Sequence, residues 1–211
     1  MRMVLLIAML IGPGVGRAQL LDSIGLFLQE ERQFVAKLDM RNSFVRNRNV
    51  SIFGVKVGFE HAGRFQYGLG YSMLLTPVTR KRMLVGPGEV ETRLRMGYVS
   101  AYVDYAFFQR GPWEIRLPVQ IGVGGGSVAY RDPEGRRQVL ERSTLIFYEP
   151  VMTVQYRLIR YLGIGGGWGY RLAIHTTSGL GENLTAPIYT LGLRVFFGEI
   201  WRDVRGNGEM K

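Results

Sequence analysis

Side chains that usually carry chemistry are scarce in this chain. Its 211 residues include no cysteine and only two histidines, His61 and His175. That leaves too few ligands for a zinc centre of the usual kind. His175 opens the segment His175-Thr176-Thr177-Ser178, with Glu182 close behind. Base, hydroxyl and carboxylate could cleave an acyl ester if the fold brought them together. The spacing matches no hydrolase motif, and a solvated loop is the simpler expectation. Two glycine clusters, Gly122-Val123-Gly124-Gly125-Gly126 and residues 163–169, invite comparison with a phosphate cradle. Neither completes G-x-G-x-x-G, because Ser127, Trp168 and Tyr170 stand where the third glycine belongs, and neither ends in Lys-Ser or Lys-Thr. No catalytic, cofactor-binding or metal-binding residue is expected.

The informative residues are charged, and they fall at alternate positions. In residues 162–171, LGIGGGWGYR, the even positions carry Leu162, Ile164, Trp168 and Tyr170, while the odd ones carry glycine and then Arg171. A strand sends successive side chains to opposite faces, so one face is bulky and apolar and the other is bare and ends in charge. The same alternation predicts strands near 33–44, 51–60, 64–74, 98–108, 113–124, 148–158, 162–172 and 188–197. Each has about the 9 to 11 residues that a tilted membrane strand requires. One phase places Phe34, Leu38, Val57, Leu69, Val99, Val103, Leu117, Leu191 and their like outward, with no charge among them. The opposite face collects Lys37, Asp39, Arg41, Lys56, Glu60, Arg64, Asp104, Glu114, Arg116, Glu149, Arg157, Arg171 and Arg194. An eight-stranded ring is only wide enough to be filled by its own side chains, so these groups are expected to form a closed network in the lumen.

The connections support the same architecture. Those at 61–63, 109–112 and 159–161 are short, while 76–96, 125–147 and 173–187 are long and rich in glycine, proline and charge. Short turns at one end and long loops at the other is the outer-membrane arrangement; the connection at 45–50 departs by being short. Pro118 and Pro150 fall inside strands, where each removes a ladder donor, so bulges or displaced strand ends are expected there. A soluble ligand-carrying barrel would invert the faces, but runs of glycine suit a crowded lumen better than an exposed surface.

Residues 1–18 read as a secretory signal: Arg2, an apolar run, then a small-residue cleavage site at Gly16-Arg17-Ala18. A segment at 19–32 with short helical character, a barrel at 33–198 and a periplasmic tail at 199–211 complete the expected organisation. The formal charge of +10 becomes +8 once Arg2 and Arg17 leave with the signal. Export argues against nucleic acid as the partner, and an anionic membrane surface is the alternative. Arg80, Lys81, Arg82, Arg136 and Arg137, on long connections, are the candidates for contact with phosphates of outer-leaflet glycolipid, since guanidinium pairs bidentately with phosphate. The reading is an all-β, eight-stranded antiparallel up-and-down transmembrane β-barrel without a cofactor.

Several stretches carry a resemblance. Gly54-Val55-Lys56-Val57-Gly58-Phe59, Tyr67-Gly68-Leu69-Gly70-Tyr71, Glu149-Pro150 with Gln155-Tyr156-Arg157, and Tyr161-Leu162-Gly163-Ile164-Gly165 through Gly169-Tyr170-Arg171 resemble the small outer-membrane barrels of Bacteroidetes, within the OmpA-like and OmpX-like group. The resemblance implies a non-enzymatic protein of the Gram-negative outer membrane with a structural or surface-interaction role. Its alternatives are an accessory barrel of a secretion or envelope-assembly machine, as in PorT-like barrels, with other envelope proteins as partners, and third a lipid-modifying barrel enzyme. The group commonly ends on a terminal aromatic, whereas here Phe197 is followed by residues 198–211.

Overall fold

The period-two segments form nine strands: β1 (Arg32–Val45), β2 (Arg48–His61), β3 (Phe65–Leu74), β4 (Val78–Leu84), β5 (Gly88–Arg110), β6 (Trp113–Arg131), β7 (Arg137–Ile159), β8 (Leu162–Thr176) and β9 (Ala186–Phe196). Helix α1 covers residues 24–29, and α2 (Phe197–Gly206) follows β9 directly. The computed structural model of the chain describes residues 24–45, 48–76, 78–84, 88–132, 134–176 and 184–206. The signal expected at 1–18, Ser178, Glu182 and the end of the tail lie outside them.

All pairings are antiparallel, and β9 returns to β1 with Val35 opposite Phe196 and Ser43 opposite Ile188, so the sheet closes on itself. Eight strands make the ring. β4 stands outside it, pairing with the start of β5, while β3 pairs with the later part of the same strand. Closure removes sheet edges and gives the backbone donors of the wall partners within the protein. Tight turns gather at one end: Ala62 and Gly63 between β2 and β3 both have left-handed φ, 51° and 68°, as a type I′ hairpin requires.

The long connections expected at 76–96 and 125–147 are instead largely strand. β4 and β5 form a hairpin, and β6 and β7 run on to Arg131 and Arg137. The wall keeps one phase throughout but reverses its chemistry. Along β5, Val99, Ala101 and Val103 face out while Ser100, Tyr102 and Asp104 are buried inside; beyond Gly97 the outward residues are Glu91, Arg93 and Arg95, and the buried ones Thr92, Leu94 and Met96.

The two prolines sit at gaps in the ladders rather than at bulges, Pro118 in the β6–β7 pairing and Pro150 in the β7–β8 pairing. Between β6 and β7 the ladder passes from Arg116 opposite Thr153 to Val119 opposite Pro150 with the register unchanged, so two pairs are skipped. Between β7 and β8 it likewise passes from Tyr148–Leu172 to Val151–Gly169. The bulges lie elsewhere, at Ala106/Phe108, Val128/Ala129, Ile146/Phe147 and Arg157/Ile159.

Inward glycines are spaces for neighbours. A Cβ on Gly122 would lie 2.6 Å from the Tyr98 ring, and one on Gly165 would lie 2.7 Å from Gln155 Cγ. Gly167 and Gly169 serve differently, since a Cβ there would strike the carbonyls of Met152 and Pro150 on β7. The glycine face of β8 thus combines lumen space with close backbone approach.

At the short-turn end, Phe27 of α1 packs 6.4 Å from the Tyr105 ring, and α2 is tied back by Arg160, which pairs with Glu199 at 3.0 Å and Asp203 at 2.8 Å. Tyr161 donates to Asp203, and that bond holds its phenol above the ordinary value. The segment expected as a tail from residue 199 is therefore helical and docked from Phe197 onward.

Replacing Gly122 with Val should push the Tyr98 ring out of the lumen at an overpacking cost of about 1–3 kcal/mol. Gly125→Val should be tolerated, because a Cβ there meets only Ser143 O at 3.8 Å. Refolding yield, read from the β-sheet circular dichroism and protease resistance, should fall for the first variant only.

Candidate functional site

The lumen holds two charge clusters stacked along the barrel axis. Nearer the long-hairpin end, Glu149 of β7 is the hub. Arg41 Nη1 of β1 donates to it at 2.6 Å, Arg171 Nε of β8 and Gln120 Nε2 of β6 donate to it, and the Tyr98 hydroxyl of β5 donates at 3.1 Å. Arg41 also pairs with Asp39 at 2.8 Å, and Asp39 lies 3.6 Å from Lys56. Five strands thus converge on two carboxylates. Arg41, Arg116 and Arg171 are at most 1% exposed, so no solvent shares the charge.

Towards the short-turn end, Arg116 of β6 donates through Nε to Asp104 at 3.0 Å and through Nη1 to Glu114 at 2.7 Å. Asp104 also takes Lys37, and Arg194 bridges Glu114 at 2.8 Å and Glu60. Glu60 accepts from Gln66 as well, at 2.7 Å. The remaining Arg116 donors cap the Gly63 and Arg64 carbonyls of the β2–β3 turn at 3.2 and 3.1 Å. The network thereby fastens a turn as well as filling space.

Two of the thirteen charged positions behave otherwise. Arg64 sits in the turn with its guanidinium 6.0 Å from the Phe27 ring, outside the network. Arg157 lies at the mouth, 38% exposed, 3.9 Å from Glu114 and stacked 4.3 Å over Phe196. A one-residue shift in pairing between Arg157 and Ile159 accompanies this placement.

The alternation alone missed an apolar plug. Beyond Glu149 the inward side chains are Val50, Ile52, Leu94, Met96, Val128, Leu145 and Phe147, packed together with Val78 and Leu184. Phe147 lies 5.1 Å from the Tyr98 ring and under Arg171, joining plug to cluster. The signal was present: Leu145-Ile146-Phe147-Tyr148 is apolar on both faces. Between the clusters is a polar cavity of about 70 Å³, lined by Lys37, Lys56, Tyr102 and Thr153 among others, large enough to admit water.

The other candidates stay apart. His61 is buried at a turn, with Nδ1 2.9 Å from the Glu30 carbonyl, and the His175 side chain is exposed on β8. Among the described residues no group of carboxylates and histidines could hold a metal ion. Lys81 is exposed on β4 and 3.4 Å from Glu89; Arg136 and Arg137 are exposed at the β6–β7 hairpin. Arg80 and Arg82 share β4, but their side chains lie outside the described set.

Fold and lumen together define an eight-stranded up-and-down β-barrel, filled by its own charges and apolar outside. No protein-family model matches the chain, and no curated protein sequence does. Among solved structures it is similar to Neisserial surface protein A (NspA), at 12% identity and a TM-score of 0.53, over 78% of this chain and 96% of that one. It is also similar to a major outer membrane protein from Thermus thermophilus, at 13% identity and a TM-score of 0.50, over 77% and 98% of the two chains. Identity at this level speaks for the fold.

Glu149→Gln removes the charge that compensates Arg41 and Arg171. The variant should unfold at lower urea in detergent, by about 3–5 kcal/mol, with partial recovery in the double variant Glu149→Gln/Arg171→Gln. An unchanged midpoint for the single variant would remove Glu149 from its place as hub.

Proposed function

We propose that the chain is an integral outer-membrane β-barrel with a structural or surface-interaction role, carried by the hairpins at its long end. One observation carries the reading: the reversal of wall chemistry along continuous strands. Around the middle of the barrel the exposed side chains are Val57, Leu69, Val99, Val103, Ile121, Val123, Leu191 and Leu193, and the charges are inside. A water-soluble barrel has no cause to face this way, whereas lipid requires it, since an Arg at the midplane costs about 2–4 kcal/mol. Past Gly97 the wall returns to the arrangement suited to water. Trp113 and Tyr156, in edge contact at 4.7 Å, lie near the short-turn end, and Trp168 and Tyr189, paired across β8 and β9, lie towards the other. Aromatic girdles occupy such positions.

Among the described residues no helix is long and apolar enough to span a membrane, so any crossing is made by strands. Helix α2 continues the belt: Phe197 packs 5.6 Å from Phe34, and Trp201 and Val204 are exposed beyond it. In this orientation the short turns and both terminal helices are periplasmic, and the hairpins β4–β5 and β6–β7 face outside. The basic positions of those hairpins, Arg80, Lys81, Arg82, Arg136 and Arg137, are the proposed contacts for glycolipid phosphates. A role as an accessory barrel of an envelope machine would draw on α2 as its periplasmic contact. Among the described residues the apolar plug and the paired charges leave no open path, which favours a structural or binding role over conduction.

Expressed with its leader, the protein should fractionate with the outer membrane and migrate faster on gels when unheated than when boiled. In planar bilayers it should give no sustained channel. Recovery as a soluble periplasmic protein would overturn the assignment.

A further inference from the structure

Arg95 of β5, Ser127 of β6 and Arg142 of β7 are direct cross-strand partners, so they form one row around the outer wall. The next row towards the belt is Gly97, Gly125 and Thr144, and below it lie Val99, Val123 and Ile146. The row of arginines therefore stands at the level where the wall changes from water-facing to lipid-facing. Arg95, Arg137 and Arg142 are all exposed. Arg137 reaches the same point from farther up the hairpin, donating through Nη2 to Ser127 Oγ at 3.3 Å. Neither Arg95 nor Arg142 has an ion-pair or side-chain hydrogen-bond partner among the described residues. The glycines beneath leave an open trough of about 410 Å³ between the two arginine side chains.

We propose that this trough binds the phosphate of an acylated glycolipid in the outer leaflet. The proposal rests on the outer-membrane orientation given above. Arg95 and Arg142 flank the trough and the Arg137 guanidinium stands at Ser127; guanidiniums at the edge of hydrocarbon need anionic oxygens, and phosphate matches their fork geometry. The trough supplies what a headgroup with attached chains requires. The phosphate meets Arg95, Arg137 and Arg142, the sugar lies against the bare backbone at Gly125 and the Tyr71 hydroxyl beside Gly97, and an acyl chain descends over Val99 and Val123. Neighbouring paired strands hold the arginine backbone positions at fixed spacing.

The test uses the full barrel in nanodiscs containing a phosphorylated glycolipid, the same glycolipid dephosphorylated, or phosphatidylglycerol alone, with retained lipid counted by native mass spectrometry. Wild-type protein should retain the phosphorylated glycolipid selectively. Arg95→Ala/Arg142→Ala should weaken retention by about tenfold or more, as expected for losing two charge-assisted donors. Gly125→Leu fills the trough without changing charge and has room at its Cβ, meeting only Ser143 O at 3.8 Å; it should weaken retention severalfold. Heat-modifiable migration of each protein separates the two readings. If wild type lacks it, the membrane assignment itself fails. If every variant shows it yet both retain glycolipid like wild type, this inference alone is overturned. Equal retention of phosphatidylglycerol or of the dephosphorylated glycolipid would also overturn it, by denying that a glycolipid phosphate is recognised.

Discussion

A guanidinium shut away from water must meet a carboxylate, and this barrel is organised around satisfying that requirement several times in a small space. Arg41 and Arg171, from β1 and β8, have Glu149 of β7 in common, and Arg116 and Arg194 have Glu114 and Glu60 in common. Each carboxylate is therefore a junction among strands far apart in sequence. The long side chains also fill the lumen, so charge pairing and packing are achieved by the same atoms. Removing one partner costs far more than its own attraction, because the remaining charges stay buried. The lumen consequently behaves as one unit, and the register of every strand that contributes to it is fixed by its partners.

The wall is shaped to fit this interior. Gly54 stands where a side chain would run into Asp39 and Arg41, and Gly122 makes room for Tyr98, the phenol that bridges Arg41 and Glu149. The same hub explains why the prolines are tolerated where they are. Pro118 lies in the β6–β7 gap and Pro150 in the β7–β8 gap, both close to Gln120 and Glu149, so the missing backbone bonds fall beside the side-chain pairing of the hub. Backbone donors lost there are offset by interstrand contacts through the lumen.

Much of this was legible in the sequence, because period-two alternation and the absence of charge from one phase directly reflect a wall with an apolar outer face and a charged lumen. Strand existence, phase and closure follow from that pattern, as at residues 162–171. The charged positions were legible as inward; which carboxylate meets which guanidinium was not, since pairing depends on the stagger around the ring. The outer halves of β5, β6 and β7 read as loops because their composition is polar. Glu91, Arg93 and Arg95 do alternate with Thr92, Leu94 and Met96, but with the opposite polarity. A search for apolar-out strands passes over a strand that continues into water. Arg157 is the last residue of β7 in register before the pairing shifts, so it reaches Glu114 from the mouth of the lumen rather than from within it.

The reversal also bears on where function can reside. Below it the outer face is apolar and the lumen is committed to its own pairs; above it the plug of Leu94, Met96, Leu145 and Phe147 fills the lumen. Neither region has chemistry to spare. Above it the hairpins expose basic side chains, and at the boundary Arg95 and Arg142 stand, among the described residues, without an acidic partner beside a glycine trough. On this side of the barrel, charge that is not needed to hold the fold together thus begins where the outer wall changes from apolar to charged. The chemistry available there is that of guanidinium groups meeting anionic surfaces.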